Sequence, residues 1–442
     1  MKKVNIIKSG ALELLAPAGD LQKLKTALTF GADAVYFGLP GFSLRARVNK
    51  FSKEDIRKGA EICRKQNKKF YVTINIYAHN LHLKALPDHL EFINEIKPNA
   101  VILSDPGVLR MVKKYCPEIP IHISTQVNAT NLEAVKFWAE QGVERIILAR
   151  EVTLDEIREI KQEAPKIELE VFVHGAMCMA YSGRCLLSKW MTGRSANLGD
   201  CAQPCRWMYN KTNSEESLSK GIKNSQDKIE SIVDDKKRFL IDVEEDQHGS
   251  YFFNSYDLCL IEYLDKLAEA GIDSFKIEGR GKSVYYVAVT TRAYRKVLDA
   301  LNLQMTTDIK EDKNLAKIIT KQKRELERLS HRGFWTGFLL KDEPPHLTER
   351  SYLPTNWEFV GISVDKKTND GKKRQVFVHN QLAVNEEVEV ITPTENQKNK
   401  IIKIANSKGV VLEKAHGGQN EIFNITFEEE VSGDFLLRKD LT

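Results

Sequence analysis

Four of the seven cysteines in this chain lie within 28 residues of each other and carry its strongest chemical signal. They are Cys178, Cys185, Cys201 and Cys205, separated by six, fifteen and three residues. Four thiolates can ligate a 4Fe-4S cluster, one for each iron. They can also bind zinc in a tetrahedron, although structural zinc sites usually have paired intervals of two to four residues, which only the last pair has. The spacing favours iron–sulfur, with zinc and unligated thiols as the alternatives.

The elements that must position these cysteines alternate regularly over the first 300 residues. Eight short apolar runs, separated by helix-like segments, have the character of buried strands: Leu12–Ala16, Ala34–Phe37, Phe70–Ile76, Ala100–Leu103, Ile121–Ser124, Arg145–Leu148, Leu169–Val173 and Ser274–Ile277. Such strands, alternating with helices, are typical of a parallel sheet covered on both faces. Eight units predict a (β/α)8 TIM-like barrel of the α/β class. A doubly wound open sheet is the alternative, because a sequence does not reveal closure.

Several of the predicted strands end in polar or glycine-bearing segments. These include Asn75, Ser124-Thr125-Gln126, Ala149-Arg150, His174-Gly175 and Glu278-Gly279-Arg280. In a closed barrel these ends share the C-terminal rim, where active sites form. The ordinary needs of βα loops for turn residues and helix caps explain the same residues equally well.

The change of pattern along the chain predicts two domains and a connector. Residues 1–300 form the barrel, interrupted by a cysteine-rich insertion over residues 177–238. Residues 301–350 have the pattern of an amphipathic, basic helix and a connector. Residues 351–442 consist of short alternating runs separated by Asn, Gly and Lys, which is typical of a small β-barrel or sandwich, and we predict a C-terminal β-barrel.

The composition indicates a soluble globular protein. The chain has 442 residues, 42% hydrophobic and 29% charged, which suits two or three domains. It contains no run of eighteen apolar residues and no apolar signal-peptide core, so we expect no transmembrane helix and a cytoplasmic location. In a reducing cytosol, clustered cysteines favour metal or redox chemistry over disulfides. A basic segment from Arg45 to Lys69 either faces a polyanion or is a solvated helix surface.

Four stretches of the chain resemble the collagenase-like peptidase U-32 family. They are Glu13–Asp20, Gly31–Gly38, Glu170–Ser188 and Lys276–Arg280, and the third closely matches the family signature. The resemblance extends over nearly the whole chain, including the C-terminal β domain. It implies a cylinder-like barrel with a metal cluster near its rim, in agreement with the eight strands counted independently.

Despite the family name, the resemblance implies an oxygen-independent hydroxylation protein that carries a 4Fe-4S cluster. The family's cluster ligands match Cys178, Cys185, Cys201 and Cys205 without departure. Length and architecture are most similar to the branch that converts the tRNA wobble uridine to 5-hydroxyuridine and depends on prephenate. The implied co-substrate is therefore prephenate, and the implied partners are tRNA and iron–sulfur assembly or redox proteins.

Prephenate is a dicarboxylate, so the implied function needs cationic anchors. Candidates at strand ends are Arg45, Arg47, Arg150 and Arg280, because arginine binds carboxylates through two hydrogen bonds. Each could equally be a surface residue or an ion-pair partner. His174 is the candidate catalytic residue, since it could transfer a proton or donate a hydrogen bond to a cluster sulfide. Its alternative role is to hold the cysteine loop in place.

Three other functions compete with tRNA hydroxylation. The family name implies a protease. The sequence contains neither a His-Glu-x-x-His metal motif nor a Gly-x-Ser-x-Gly elbow, and a catalytic Cys–His pair is the alternative that stays open. Hydroxylation of 23S rRNA is an alternative because members that act on ribosomal RNA share the cysteine core. An RNA-binding accessory module would use the C-terminal β domain and the basic Arg45–Lys69 segment equally well.

Overall fold

A computed structural model describes residues 12–45, 49–178, 180–207, 209–212, 230–234, 240–243, 255–306, 312–341, 352–364, 371–418 and 421–442. Its larger domain is a closed barrel of eight parallel strands, which confirms the (β/α)8 prediction. Numbered in chain order, the barrel strands are β1 (Glu13–Pro17), β2 (Ala34–Gly38), β3 (Lys69–Ile74), β4 (Ala100–Leu103), β5 (Ile121–Ile123), β6 (Arg145–Ile147), β7 (Glu168–Ala176) and β12 (Ser274–Ile277). Strand β12 pairs with both β1 and β7, and this closes the cylinder.

Helices cover the outside of the barrel between successive strands. They are α1 (Leu21–Thr29), α2 (Lys53–Lys65), α3 (Asn80–Ile96), α4 (Pro106–Tyr115), α5 (Leu132–Glu140), α6 (Leu154–Glu163), α8 (Leu264–Glu269) and α9 (Val284–Thr306). The side chains of Asp20, Ser52 and Thr153 accept hydrogen bonds from first-turn backbone N–H groups, the last two within capping boxes. These caps satisfy otherwise unpaired donors and fix where each βα loop ends.

The interior of the barrel is filled by side chains. Its apolar cluster consists of Leu15, Ala34, Tyr36, Tyr71, Ala100, Ile102 and Ile147. Buried charges beside this cluster are paired: Arg145 lies 2.5 Å from Glu13 and 3.1 Å from Glu170. Lys276 lies 2.7 Å from the same Glu170 carboxylate. Pairing offsets the desolvation cost of these charges, so the interior is a packed core and not a pore.

Between β7 and β12 the chain leaves the barrel wall. It forms α7 (Leu187–Thr192) and a separate antiparallel sheet of β8 (Tyr209–Thr212), β9 (Glu230–Asp234) and β10 (Leu240–Val243). The chain returns as β11 (Asp257–Cys259), which pairs antiparallel with the end of β7 and parallel with β13 (Phe334–Trp335). These two short strands stand beside the C-terminal end of β7, next to the start of the cysteine-bearing segment.

The C-terminal domain is a closed antiparallel barrel of six strands, which confirms the predicted small β-barrel. Its strands are β14 (Trp357–Ser363), β15 (Lys373–Val378), β17 (Glu387–Ile391), β18 (Asn396–Ala405), β21 (Ile422–Phe427) and β22 (Leu436–Asp440). Three two-residue strands accompany them, β16 (Leu382–Ala383), β19 (Val411–Leu412) and β20 (Lys414–Ala415). The domain boundaries at residues 300 and 350 stay predictions.

Helices α9 and α10 (Asp312–Glu327) connect the two barrels. Helix α10 packs along α9. Arg438 of β22 lies 2.9 Å from Glu325 of α10, and the rings of Tyr285 and Phe359 stack with centres 5.2 Å apart. In the described ranges, these two helices included, no helix is long and apolar enough to cross a membrane.

Candidate functional site

A cavity of about 390 Å³ opens at the C-terminal mouth of the barrel, and most of the predicted site residues line it. Its volume is in the range of small-molecule sites. Part of its wall is the cysteine loop, defined here as residues 177–207. The barrel itself contributes Tyr36, Thr73, Asn75, Ile102, Ser124, Thr125, Gln126, Arg150, Phe172, Lys276, Glu278 and Arg280. The strand-end segments that the sequence placed on one rim therefore meet around one cavity.

All four clustered cysteines line this cavity, and none of them forms a disulfide. Cys178 is exposed, and the other three are partly buried. Burial raises the pKa of the Cys205 thiol to about 11, and Arg206 opposes this rise. The other three cysteines add to it, so the four sulfurs lie close enough to interact electrostatically.

Short helical turns and hydrogen bonds shape the cysteine loop. Beside α7, the turns are Tyr181–Gly183, Ala196–Leu198 and Pro204–Arg206. The backbone N–H of buried Ser182 donates to the Glu151 carboxylate at 2.9 Å, which ties the loop to the segment after β6. Gln203 adopts a left-handed φ of 58°, and its backbone N–H donates to the Cys201 sulfur at 3.3 Å. Such a bond stabilises a thiolate and is a known influence on cluster potential.

This set of donors fits a 4Fe-4S cluster. Such a cluster takes one thiolate for each iron, and here four thiols of one loop surround one cavity. A cuboidal cluster separates its thiolate ligands more widely than one tetrahedral zinc ion does, so thiols distributed around a cavity suit the cluster.

Three of the four predicted arginines reach the cavity. Arg45 lies 3.3 Å from the Glu278 carboxylate. Arg280 is buried and donates to the hydroxyl of Thr73 at 3.0 Å. Arg47 lies outside the described residues. The mouth of the barrel therefore carries a group of cations next to the cysteine loop.

Arg150 forms no ion pair with a described carboxylate, whereas Arg45 is paired with Glu278. Its guanidinium lies over the Phe172 ring, 4.2 Å from the ring centre. Its buried Nε atom has no hydrogen-bond partner in the described part of the chain. A buried polar group without a partner is costly, and an anionic ligand in the cavity would remove that cost.

Glu278 is a cavity residue that the sequence analysis did not propose for the site. Burial raises the pKa of its carboxyl group, but Arg45, Arg150 and Arg280 outweigh this effect and hold the pKa below its ordinary value. Its place in the sequence could have identified it, because it lies just past the end of β12, between Lys276 and Arg280, which also line the cavity.

His174, the candidate catalytic residue, does not line the cavity, and its catalytic role stays a prediction. Its ring packs against Tyr286, Tyr294 and Phe334, and its Nδ1 atom lies 3.3 Å from the Tyr294 hydroxyl. Burial lowers the pKa of His174 to about 3, so the ring stays neutral in this apolar environment. This geometry supports the alternative role, a structural histidine below the cysteine loop.

A β-bulge explains why His174 faces away from the cavity. Phe172 is opposite Lys276, and His174 is opposite Ile277, so Val173 is an extra residue in β7. Without the bulge, His174 would face inward with Phe172, as strict alternation predicts. The bulge reverses the facing of the residue just before the cysteine loop.

Comparisons with known proteins agree with the resemblance in the sequence. The model of peptidase family U32 matches residues 19–349, and that of the U32 C-terminal domain matches residues 355–438. The chain is 38% identical to tRNA hydroxylation protein P of Haemophilus influenzae over 96% of each chain. It is 29% identical to a collagenase of Porphyromonas gingivalis over 97% of this chain and 98% of that one. It is 37% identical to the 23S rRNA 5-hydroxycytidine C2501 synthase of Escherichia coli over 67% of this chain and 40% of that one.

Two independent findings agree on the family. The family models cover the barrel and the C-terminal domain one after the other, in the order of the two domains seen in the structure. The Haemophilus influenzae relative is similar from end to end. The chain therefore belongs to peptidase family U32.

Proposed function

We propose that this protein is an RNA-modifying enzyme that hydroxylates the tRNA wobble uridine to 5-hydroxyuridine with a 4Fe-4S cluster and prephenate, without molecular oxygen. The observation that carries the proposal is the shared cavity, in which the four thiols and Arg45, Arg150 and Arg280 line one mouth. A redox group and a bound dicarboxylate would lie side by side there, at a rim that a nucleotide can reach. The name of the Haemophilus influenzae relative supports tRNA as the substrate.

The cysteine loop would hold the cluster through Cys178, Cys185, Cys201 and Cys205, and a bound cluster supplies one-electron transfer. The backbone N–H of Gln203 would stabilise the Cys201 thiolate, to which it already donates. Arg184 and Arg206 line the same cavity and would offset the negative charge of four thiolates.

The arginines would bind prephenate by its carboxylates. Arg150 lacks an ion-pair partner among the described residues, so it is free to form two hydrogen bonds with a carboxylate. Arg45 and Arg280 act with it on Glu278, so three cations share one carboxylate. The excess of positive charge favours a dicarboxylate over a neutral ligand.

The choice of tRNA over 23S rRNA rests on the extent of the likeness. The relative named for tRNA hydroxylation matches over 96% of both chains. The relative named for rRNA is much longer, and the match covers 40% of it. The proposal therefore places the protein in the cytoplasm with tRNA as its macromolecular partner.

The geometry gives little support to a cysteine protease. A thiol nucleophile needs a histidine base within hydrogen-bond distance. No histidine of the described residues lines the cavity, and the nearest in sequence, His174, is buried against Tyr294. The likeness to the collagenase of Porphyromonas gingivalis therefore concerns the fold and family, and we do not propose proteolysis.

The first test is the metal content of protein purified without oxygen. We expect a broad absorption band near ~400 nm and roughly four iron and four sulfide per chain. Cys178→Ala should lose most of both. Cys116→Ala is the matched control, because Cys116 is buried far from the loop in sequence and outside the cavity lining, and it should keep both. One zinc per chain without iron would refute the cluster.

The second test is nucleoside mass spectrometry of RNA from a strain that lacks the gene. We expect 5-hydroxyuridine to disappear from tRNA and to return with the wild-type gene or Cys116→Ala, but not with Cys178→Ala. If tRNA is unchanged and hydroxycytidine is lost from 23S rRNA, the substrate assignment is wrong and the chemistry stands.

A further inference from the structure

A second, larger groove lies between α10 and the C-terminal barrel, away from the cysteine cavity. Its volume is about 690 Å³, and it is open to solvent. Helix α10 supplies three cations to its wall, Lys317, Lys321 and Arg324, and Arg328 follows directly after the helix. The opposite wall contains Glu389 and Asn396 from the C-terminal barrel.

The four cations form one stripe, in which Arg328 lies one residue past the end of α10. The spacing of four and three residues keeps Lys317, Lys321 and Arg324 within roughly a 60° arc of the helix surface, over a length of about 10 Å. Lys317, Lys321 and Arg324 are exposed. No described carboxylate lies within ion-pair distance of these three, whereas Arg328 pairs with Glu325 at 2.6 Å.

The basic Arg45–Lys69 segment provides a contrast, since it was the sequence's candidate for a polyanion surface. Arg57 pairs with Glu95 at 2.5 Å, and Lys68 pairs with Asp33 at 3.2 Å. Lys69 pairs with Glu13 at 3.0 Å. The cations of that segment are largely engaged within the fold, whereas those of the α10 stripe face solvent.

The Glu325 carboxylate, which lines the groove, is already paired with two arginines. Glu325 lies 2.9 Å from Arg438 and 3.2 Å from Arg292, both buried. Lys296 of α9 has a lowered pKa, first because of burial and then because of the charges of Arg292 and Lys321. The groove therefore has an uncompensated positive potential that suits an anionic partner.

The stripe leads towards the mouth of the barrel. Helix α9 starts after β12 at the mouth, and α10 packs back along it. The end of the stripe with Arg324 and Arg328 therefore lies nearer to the barrel mouth than the end with Lys317. Five residues beyond α10, Arg332 forms an ion pair with Asp257 of β11, which is opposite Ala176 just before the cysteine loop.

We propose that this groove binds the phosphodiester backbone of RNA and aligns the substrate with the cavity. This inference rests on the proposed function, because it takes tRNA as the RNA. A solvent-exposed row of lysine and arginine at one-turn intervals suits successive phosphates, which bind without base specificity. The barrel mouth then selects the RNA sequence, and the stripe on α10 supplies affinity for the RNA backbone.

The test compares two triple variants with equal loss of charge. The groove variant is Lys317→Gln, Lys321→Gln and Arg324→Gln, and glutamine keeps the helix propensity of α10. The control is Arg110→Gln, Lys113→Gln and Lys114→Gln on α4, which follows β4 on the far side of the barrel. Binding of unmodified tRNA transcripts to each protein is measured by fluorescence anisotropy over a series of salt concentrations.

We expect the groove variant to bind tRNA about tenfold more weakly, with a slope of log Kd against log salt that is smaller by about 2. The control variant should stay within about twofold of the wild type. Equally weakened tRNA binding in both triple variants would mean that only net charge matters, and would overturn the proposal that the groove binds RNA. Unchanged binding by the groove variant would overturn it as well, and would leave the surface to an acidic protein partner.

Nucleoside analysis separates this inference from the proposed function. If the deletion strain loses 5-hydroxyuridine and the groove variant restores it fully with normal tRNA affinity, the groove inference fails and the function stands. If the deletion strain keeps 5-hydroxyuridine while the groove variant binds tRNA weakly, the function fails and the groove stands.

Discussion

The Arg45 guanidinium lies 3.3 Å from the Glu278 carboxylate at the barrel mouth, although 233 positions separate the two residues. The contact joins the loop after β2 to the segment after β12, across the edge of the cavity. Arg150 and Arg280 also act on this carboxylate and help to keep its pKa low. Glu278 therefore balances three cations at the place where an anionic ligand would bind.

Replacing Glu278 by glutamine should remove that balance. We expect Glu278→Gln to lower the free energy of unfolding by about 2 kcal/mol, because three arginines then repel each other in a partly desolvated site. Added malonate or prephenate should raise the Tm of the variant more than that of the wild type, since the anion replaces the lost carboxylate. Differential scanning fluorimetry with a series of ligand concentrations measures both effects.

Glu54→Gln is the control for that experiment. Glu54 is exposed and lies 3.6 Å from Lys58 on the surface of α2, so its loss should change stability by under 1 kcal/mol. If anions stabilise Glu278→Gln no more than the wild type and Glu54→Gln, the arginines of the mouth are not an anion site.

The barrel could be predicted from sequence because each strand is an almost uninterrupted apolar run, as burial on both faces requires. Arg150 and Arg280 could be placed at the rim for the same reason, since each lies three residues after the end of a strand. The cysteine ligands were predicted from spacing and resemblance, and the structure brings all four to the cavity. Closure of the barrel follows from the β12–β7 pairing, which no local pattern reveals.

The orientation of His174 could not be predicted because it depends on a bulge at Val173 that the residue types do not signal. The role of the Arg45–Lys69 segment was equally hidden. Its cations look free in the sequence, but their partners, such as Glu95 and Asp33, come from elsewhere in the fold. A sequence therefore does not show which surface charges are paired in the folded protein.

Arg150 offers the most direct test of dicarboxylate binding. Arg150→Gln should weaken prephenate binding about tenfold or more, because a charge-assisted, two-point contact is lost. The affinity of Arg150→Lys for prephenate should fall between those of the wild type and Arg150→Gln, since lysine keeps the charge and loses the planar guanidinium. Isothermal titration calorimetry of anaerobic protein gives the Kd for each. Arg110→Gln on the surface of α4 is the matched control, and an Arg150→Gln variant that binds like it would assign the ligand to other residues.

The buried state of His174 predicts an acid sensitivity. Its pKa is about 3 in the folded protein and about 6.5 in an unfolded chain, so between these values the unfolded state binds the extra proton. Stability therefore falls as the pH falls from 6.5 towards 3. From pH 7 to pH 5 the wild type should lose about 2 kcal/mol more than His174→Gln, which has no titratable ring.

Urea unfolding at a series of pH values measures this difference. Between pH 7 and pH 8 the two proteins should differ by only about 0.2 kcal/mol, because the folded ring stays neutral and only about a quarter of the unfolded rings are protonated at pH 7. Parallel curves down to pH 5 would mean that the ring is protonated within the fold, and would make a proton-transfer role for His174 tenable again.

The ion pairs of Glu325 predict how strongly the two barrels depend on each other. Its carboxylate bridges Arg438 of the C-terminal barrel and Arg292 of α9, and both arginines are buried. Glu325→Gln leaves two buried cations without their shared partner, so we expect a loss of about 3 kcal/mol. Since this contact spans the domains, calorimetry should also show a separate unfolding transition for the C-terminal barrel.

Glu386→Gln distinguishes this coupling from a general effect of lost charge. Glu386 lies 2.9 Å from Lys439 within the C-terminal barrel and is partly exposed, so its removal should cost under 1 kcal/mol and leave the transitions together. Similar losses in both variants, without separation of the transitions, would mean that apolar contacts such as Tyr285 on Phe359 hold the domains together. The stripe on α10 would then keep its position beside the C-terminal barrel even when Glu325 is neutral.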